Sequence, residues 1–225
     1  MNDLPITLPI FPLTGAILLP RGHLPLNIFE PRYKKMIEDA QKNDGIIGMI
    51  QPANTAIAST IDNNDNFGTT KNDPDLYQIG CAGLISNFEE TENGQYFILL
   101  TGLRRFRITE EIATTTLYRQ VKADYSEFAQ DGDEADIKHI KTTEKFFSAL
   151  KKYLTAMDIK IDLNALEDLA DEELINSLAM VCPFDAAEKQ LLLECGLLKD
   201  RVSLMMQIID FKLPLDSISS DQHIH

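Results

Sequence analysis

Residues 4–50, LPITLPIFPLTGAILLPRGHLPLNIFEPRYKKMIEDAQKNDGIIGMI, pass from apolar extended runs through one amphipathic helix into a second apolar run. In Leu8-Pro9-Ile10-Phe11-Pro12-Leu13 the apolar run reads as a strand. Pro12 has no N–H to give a ladder, which places the segment at a sheet edge or a strand end. Leu18-Leu19-Pro20 and Leu24-Pro25-Leu26 repeat the theme, with Gly22 read as the turn between them. From Ile28-Phe29-Glu30-Pro31-Arg32-Tyr33 the period changes. Pro31 suits a first helical position, and Tyr33, Met36, Ile37 and Ala40 follow at helical spacing. Asn43-Asp44-Gly45 ends the helix, and Ile46-Ile47-Gly48-Met49-Ile50 reads as a buried strand.

Working outward, residues 51–76 are rich in Asn, Asp, Thr and Gly and read as a surface loop. A calcium-loop alignment fails there: starting at Asp62 puts Phe67 where Gly is needed, and starting at Asn63 puts Phe67 and Pro74 at ligand positions. From Leu76 three strand patterns follow, with Asn93-Gly94 supplying a hairpin turn between the first two. Several non-local strands joined by tight turns predict a small barrel or folded sheet. Arg104, Arg105 and Arg107 fall in the second of these strands. Alternation puts Arg105 and Arg107 on one face and Arg104 with Phe106 on the other, so they do not form one anion-binding fork. Pairing with Glu30, Glu110 or Glu111 is the expectation in so acidic a chain.

After Phe128, the acidic stretch AQDGDEAD is the best internal boundary and supplies first-turn carboxylates to a helix. That helix carries an apolar stripe of Ile137, Ile140, Phe147, Leu150, Leu154 and Met157, flanked by Lys138, Lys141, Lys145, Lys151 and Lys152. A second helix opens at Asp171-Glu172-Glu173, runs through Leu174, Ile175, Leu178 and Val181, and stops at Pro183. A third, from about Asp185 to Cys195, carries Leu191, Leu192 and Leu193 and ends on Gly196 as a cap. A fourth, from Leu197 to about Phe211, buries Val202, Met205, Met206 and Ile209. The reading is therefore three segments: a β subdomain over 1–128, a helical bundle over 129–213 and a tail over 214–225.

The 225 residues carry 44% apolar and 25% charged content, which is globular. A net charge of −14 opposes a phosphate backbone or an anionic lipid surface. The chain has neither an apolar run of spanning length nor a secretory leader pattern, so the expectation is a cytoplasmic protein that does not enter the membrane. Cys81, Cys182 and Cys195 show no C-x-x-C spacing and read as small buried hydrophobes. No metal or cofactor site is indicated. No glycine opens a phosphate-binding G-x-x-x-x-G-K-[ST] loop. His23 sits in an apolar loop, His139 on the polar side of the first bundle helix, and His223 and His225 in the tail. No Ser-His-Asp or Cys-His set is nominated, and no catalytic residue.

The stretches LPIFPL, LLPRGHLPLNIFEPRYKKMIEDA and GIIGMI resemble the amino-terminal substrate-recognition domain of Lon-type ATP-dependent proteases, especially the short stand-alone bacterial proteins built from it. Further resemblance follows in order. Asp75-Leu76-Tyr77 leads a strand to Ile85, and Gly102-Leu103-Arg104-Arg105-Phe106-Arg107-Ile108 resembles the family's Gly-x-x-Arg-x-Arg-Ile strand. Glu188-Lys189-Gln190-Leu191-Leu192-Leu193-Glu194 resembles a helix that precedes an Arg-containing one, here Arg201. The resemblance implies an α+β fold, a PUA-like pseudo-barrel of mostly antiparallel strands with one short helix, then a helical bundle. It also implies a non-catalytic module that binds unfolded or hydrophobic polypeptide segments and works with an ATPase/protease partner. The family's ATPase and Ser/Lys peptidase signatures do not occur in this chain. The alternatives are an RNA-binding PUA-like protein, which the charge disfavours, or an enzyme of undetermined chemistry. Individual peptide-binding residues are not identified. The ends of the Pro-rich strands at Pro12, Pro20 and Pro25, and the cleft between barrel and helices, are the places to look.

Overall fold

In a computed structural model the described residues are 4–53, 74–132, 144–159 and 171–213. The candidate calcium loop, Ile137, Ile140, Lys138, Lys141, His139 and the tail with His223 and His225 lie outside them.

Among the described residues six strands form one sheet: β1 (Thr7–Pro12), β2 (His23–Ile28), β3 (Ile46–Ile50), β4 (Ile79–Glu90), β5 (Tyr96–Ile112) and β6 (Gln120–Asp124). Their order is β2-β5-β4-β3-β1-β6, and β6 pairs again with the far end of β5. The sheet thus curls back on itself as a pseudo-barrel rather than a closed barrel. Every pairing is antiparallel except β1 with β3. The expected α+β architecture with mostly antiparallel strands is the one observed.

β1 corrects the edge-strand reading. It is internal, pairing with β6 through Thr7–Pro9 and with β3 through Ile10–Pro12. Each flank is used over half its length, and Pro12 falls at the strand end, where a missing N–H breaks no continuing ladder. The turn before β2 also differs from expectation. The left-handed residue is Arg21, at φ 61°, not Gly22. Gly22 matters for space instead, since a Cβ there would collide with the Met180 side chain.

Helix α1 (Pro31–Gln41) buries Tyr33, Met36, Ile37 and Ala40, as their spacing predicts. Burying a side chain the size of Tyr33, Met36 or Ile37 contributes about 1.5–3 kcal/mol each. Gly45, at φ 70°, donates its N–H to the Ala40 carbonyl and turns the chain into β3, whose five residues are all buried.

Four further helices follow: α2 (Glu144–Ala156), α3 (Asp171–Val181), α4 (Ala186–Glu194) and α5 (Leu198–Lys212). On α2 the buried stripe is Phe146, Leu150, Tyr153 and Leu154. Phe147 is half-buried and Met157, past the helix end, is exposed, so the predicted stripe is rotated by one residue at Phe147. Val181 on α3 and Leu191 on α4 are likewise exposed. On α5 Val202 and Met206 are half-buried, while Ile208 joins Met205 and Ile209 in the interior.

Two apolar clusters organise the interior. The larger joins Leu26, Ile28, Ile98 and Leu100 of the sheet to α1 and continues to Leu150, Ile175, Leu192 and Ile209. The smaller, with Leu8, Ile10, Ile50, Phe106 and Val121, fills the curl of the sheet.

Candidate functional site

Between sheet and helices, where a cleft is expected, one apolar cluster joins the two among the described residues, and buried polar side chains cross the seam. Arg105 on β5 is 4% exposed and grips Asp131 through two hydrogen bonds, Nη2 to Oδ1 at 2.7 Å and Nε to Oδ2 at 2.8 Å. Asp131 sits in a short 3-10 segment, Ser126–Gly132, that also lays Phe128 against the guanidinium 4.4 Å away. Arg105 Nη1 donates to the carbonyls of Leu193 and Cys195. From the other side Arg201 on α5 donates Nε to Leu192 O and Nη2 to Cys195 O. Two cations therefore cover the carbonyl end of α4, where helices leave acceptors unsatisfied and the dipole is negative. This replaces the expected Gly196 cap: the helix ends on Cys195 at φ −55°, and Gly196 is not left-handed.

The same seam continues along α3 and α4. Asn176 donates to Pro20 O at 2.9 Å and accepts from Arg201 Nη1 at 2.6 Å. Lys189 reaches Gly15 O and Met180 O, while Gln190 bonds Ile79 O and Gln51. Burial, and then the charge of Arg105, lower Arg201 to about 10; burial lowers Lys189 as well. Groups so placed hold elements together, because a buried polar atom without a partner costs about 1–3 kcal/mol.

The carboxylate partners expected for the arginine cluster are corrected by this geometry. Arg105 pairs with Asp131 and Arg107 with Glu127 at 2.8 Å, whereas Glu110 holds Lys122, Glu111 holds Arg119 and Glu30 holds Arg32. Arg105 and Arg107 do share one face, and the Ser126–Gly132 segment folds back over it to supply the carboxylates in place of the nearby glutamates. Arg104 does take the other face, with its Nε buried and unbonded among the described residues.

An open apolar surface lies at the opposite end of β5. There β2, β5 and β4 form a three-stranded arm in which Pro25 pairs with Leu99, Leu99 with Asn87, Asn27 with Phe97 and Phe97 with Glu89. Tyr96, Ile98 and Leu100 point inward to the large cluster, so Phe97, Leu99 and Thr101 share the outer face. Phe97 and Leu99 are half-buried and, among the described residues, belong to neither apolar cluster. Leu84, opposite Thr101, is 37% exposed beside them. A polar chain crosses this face: His23 Nδ1 lies 3.1 Å from Thr101 Oγ1, which donates to Ser86 Oγ, which donates to Leu99 O. The arm also offers two backbone edges. β2 pairs only with β5, and β3 accompanies β4 only as far as Leu84, leaving Asn87–Glu90 with a strand on one side among the described residues.

Of the positions singled out in the sequence, Pro25 lies exposed on this arm. Pro20 is buried under α3, and Pro12 is half-buried at the end of β1. Arg32 pairs with Glu30 and covers the ring of Tyr33, itself packed edge-on against Phe11. Cys81 and Cys182 are buried and Cys195 half-buried; burial pushes the Cys182 thiol up to about 12. Among the described residues no three His, Cys, Asp or Glu side chains cluster as metal ligands, and no helix is long and apolar enough to cross a membrane.

Sequence and structure comparisons bear on this arrangement. The family described as the ATP-dependent protease La (LON) substrate-binding domain matches residues 7–210. Lon protease 2 of Myxococcus xanthus is 24% identical over 97% of this chain and 25% of its own length. Lon protease of Flavobacterium johnsoniae is 24% identical over 98% of this chain and 26% of its own. The chain thus spans about a quarter of the curated relatives it matches. Among solved structures, the Lon N-terminal domain protein from Xanthomonas campestris aligns with a TM-score of 0.56 at 17% identity, covering 89% of this chain and 97% of that one. The N-terminal domain of Mycobacterium avium complex Lon protease aligns with a TM-score of 0.57 at 15% identity, covering 92% of this chain and all of that one.

Proposed function

The chain belongs to the family of the Lon substrate-binding domain, and from that premise we propose that it is a non-catalytic module that binds polypeptide segments on the outer face of the β2–β5–β4 arm. The observation that carries this reading is the apolar group of exposed Leu84 with half-buried Phe97 and Leu99 on a regular sheet face, the latter two in neither apolar cluster among the described residues. Apolar surface of this kind, rimmed by Asn27, Asn87, Ser86 and His23 and flanked by backbone edges that pair with no further strand among the described residues, suits an extended segment with exposed hydrophobic side chains. Folded partners bury such side chains, so the client is unfolded or locally extended. The relatives carry the matching region within much longer proteases. A protease of that type is accordingly the partner to which a bound segment is passed. The RNA-binding alternative is disfavoured, because two of the three arginines that suggest it, Arg105 and Arg107, are held by Asp131 and Glu127.

Binding of a fluorescein-labelled, reduced and carboxymethylated protein, followed by anisotropy, tests the proposal. The chain binds it in preference to the same protein folded, and Leu84→Asp weakens binding by about tenfold or more at an unchanged melting temperature. Equal affinity for folded and unfolded probe overturns the reading.

A further inference from the structure

The acidic residues of the sheet divide into two groups. Those near the far end of β5 are neutralised: Glu110 by Lys122, Glu111 by Arg119 and Glu127 by Arg107. Glu89 and Glu90 at the end of β4, and Glu92 in the turn beyond, are exposed and hold no ion pair among the described residues. Glu38 on α1 adds a fourth carboxylate, accepting from Tyr96 Oη at 3.0 Å. Lys34, the cation that approaches them, is committed to Gly94 O at 2.6 Å and to the face of the Tyr96 ring. Among the described residues the arm therefore ends in a surplus of negative charge, on the stretch of β4 whose second edge carries no described strand.

Register assigns these groups to faces. Leu84 and Glu89 lie on the outer face with Thr101 and Phe97, while Phe88 and Glu90 lie on the inner face opposite Ile98 and Tyr96. Phe88 is 36% exposed and meets the Tyr96 ring edge-on. A strand laid along Asn87–Glu90 meets the apolar Phe88 first, with Leu84 beside its end on the stretch that β3 occupies, and carboxylates next, Glu89 on one face and Glu90 on the other. The β2 edge is the poorer template, because Pro25 in its middle lacks an N–H.

Resting on the polypeptide-binding reading, we propose that the occupant of this edge is an extended segment in which apolar residues adjoin lysines or arginines, added to β4 as a further strand. Its apolar residues cover Phe88 and reach toward Leu84 where β3 ends, and its cations sit against Glu89 and Glu90. Opposite charges on neighbouring strands attract, and the low counter-charge at the tip leaves that attraction unspent. The rival account makes the carboxylates guards that keep identical edges from pairing. It predicts self-association when they are removed and no preference among peptides.

Two capped peptides separate these accounts, each with the apolar block Leu-Phe-Ile, one followed by three arginines and the other by three glutamates. Anisotropy with the full chain gives the arginine peptide an affinity higher by about tenfold or more, with the margin shrinking as salt is raised. The double variant Glu89→Lys/Glu90→Lys reverses the ranking at an unchanged melting temperature, and N-methylation of alternate backbone nitrogens of the arginine peptide abolishes its advantage. Equal binding of both peptides overturns this inference and leaves the polypeptide-binding reading standing, whereas binding of neither overturns both. A double variant that self-associates with the peptide ranking unaltered assigns the carboxylates to edge protection and also overturns the inference.

Discussion

The two halves of β5 face opposite demands. From Tyr96 to Thr101 the strand runs through an arm whose outer face leaves Phe97 and Leu99 half-buried, beside carboxylates that hold no ion pair among the described residues. From Arg104 onward it runs under the 3-10 segment and α4, where Arg105 is buried and every one of its nitrogens has a partner. The first half spends little on order and keeps surface for a ligand. The second cannot leave a polar atom unmatched, because water has been removed from it. Stability and recognition are thus divided along one strand instead of being mixed in one pocket.

Breaking the seam gives the largest effect. Arg105→Ala strands Asp131, 8% exposed, and the Leu193 carbonyl, leaves Cys195 O to Arg201 alone, and lowers stability by about 3–5 kcal/mol. Arg107→Ala, two residues on in the same strand, removes a half-exposed pair with Glu127 and costs about 0–1 kcal/mol. Urea unfolding of both variants checks the contrast. Equal midpoints would show that the seam's arginine is no more structural than its neighbour. Neither change should alter peptide affinity in protein that remains folded.

Asn176→Ala comes next, at about 1–3 kcal/mol, since it leaves Arg201 Nη1 and Pro20 O unbonded in a site with no exposure. The measurement is again the urea midpoint. A variant as stable as the parent would mean that α3 is held to the β2 turn by apolar packing alone.

Much of this division was legible before any coordinates, and the rest was hidden for identifiable reasons. Pro31 and the spacing of Tyr33, Met36, Ile37 and Ala40 specify α1 because helix start and helix face are local properties. Pro12 marks a strand end as its chemistry implies, but that β1 is internal is not legible, because its partners, β3 and β6, come from distant parts of the chain and leave no local trace. Arg105 was correctly expected to be structural, yet its partner lies 26 residues away in a stretch that reads as a linker. The arm's face was hidden differently. Tyr96-Phe97-Ile98-Leu99-Leu100 is apolar throughout, so alternation separates its two faces without revealing which one the helices cover.

The smallest effect tests the border between the two regions, where Arg21 of the β2 turn meets Glu172 of α3. An ion pair by itself predicts that acid weakens this contact. Burial acts in the other direction and prevails: it raises the Glu172 carboxyl above its ordinary value of 4.5, with Arg21 and Arg201 offsetting only part of the rise. A group whose pKa is raised by folding adds stability below its unfolded pKa and loses it as pH climbs through the folded one. The parent should therefore gain stability relative to Glu172→Gln as pH falls from neutral toward about 5. Urea midpoints of the two proteins across that range read the sign directly. A relative loss on acidification would mean that the Arg21 contact outweighs burial, and that the turn leading into the arm is pinned to the helices by charge rather than by close packing at Gly22 and Met180.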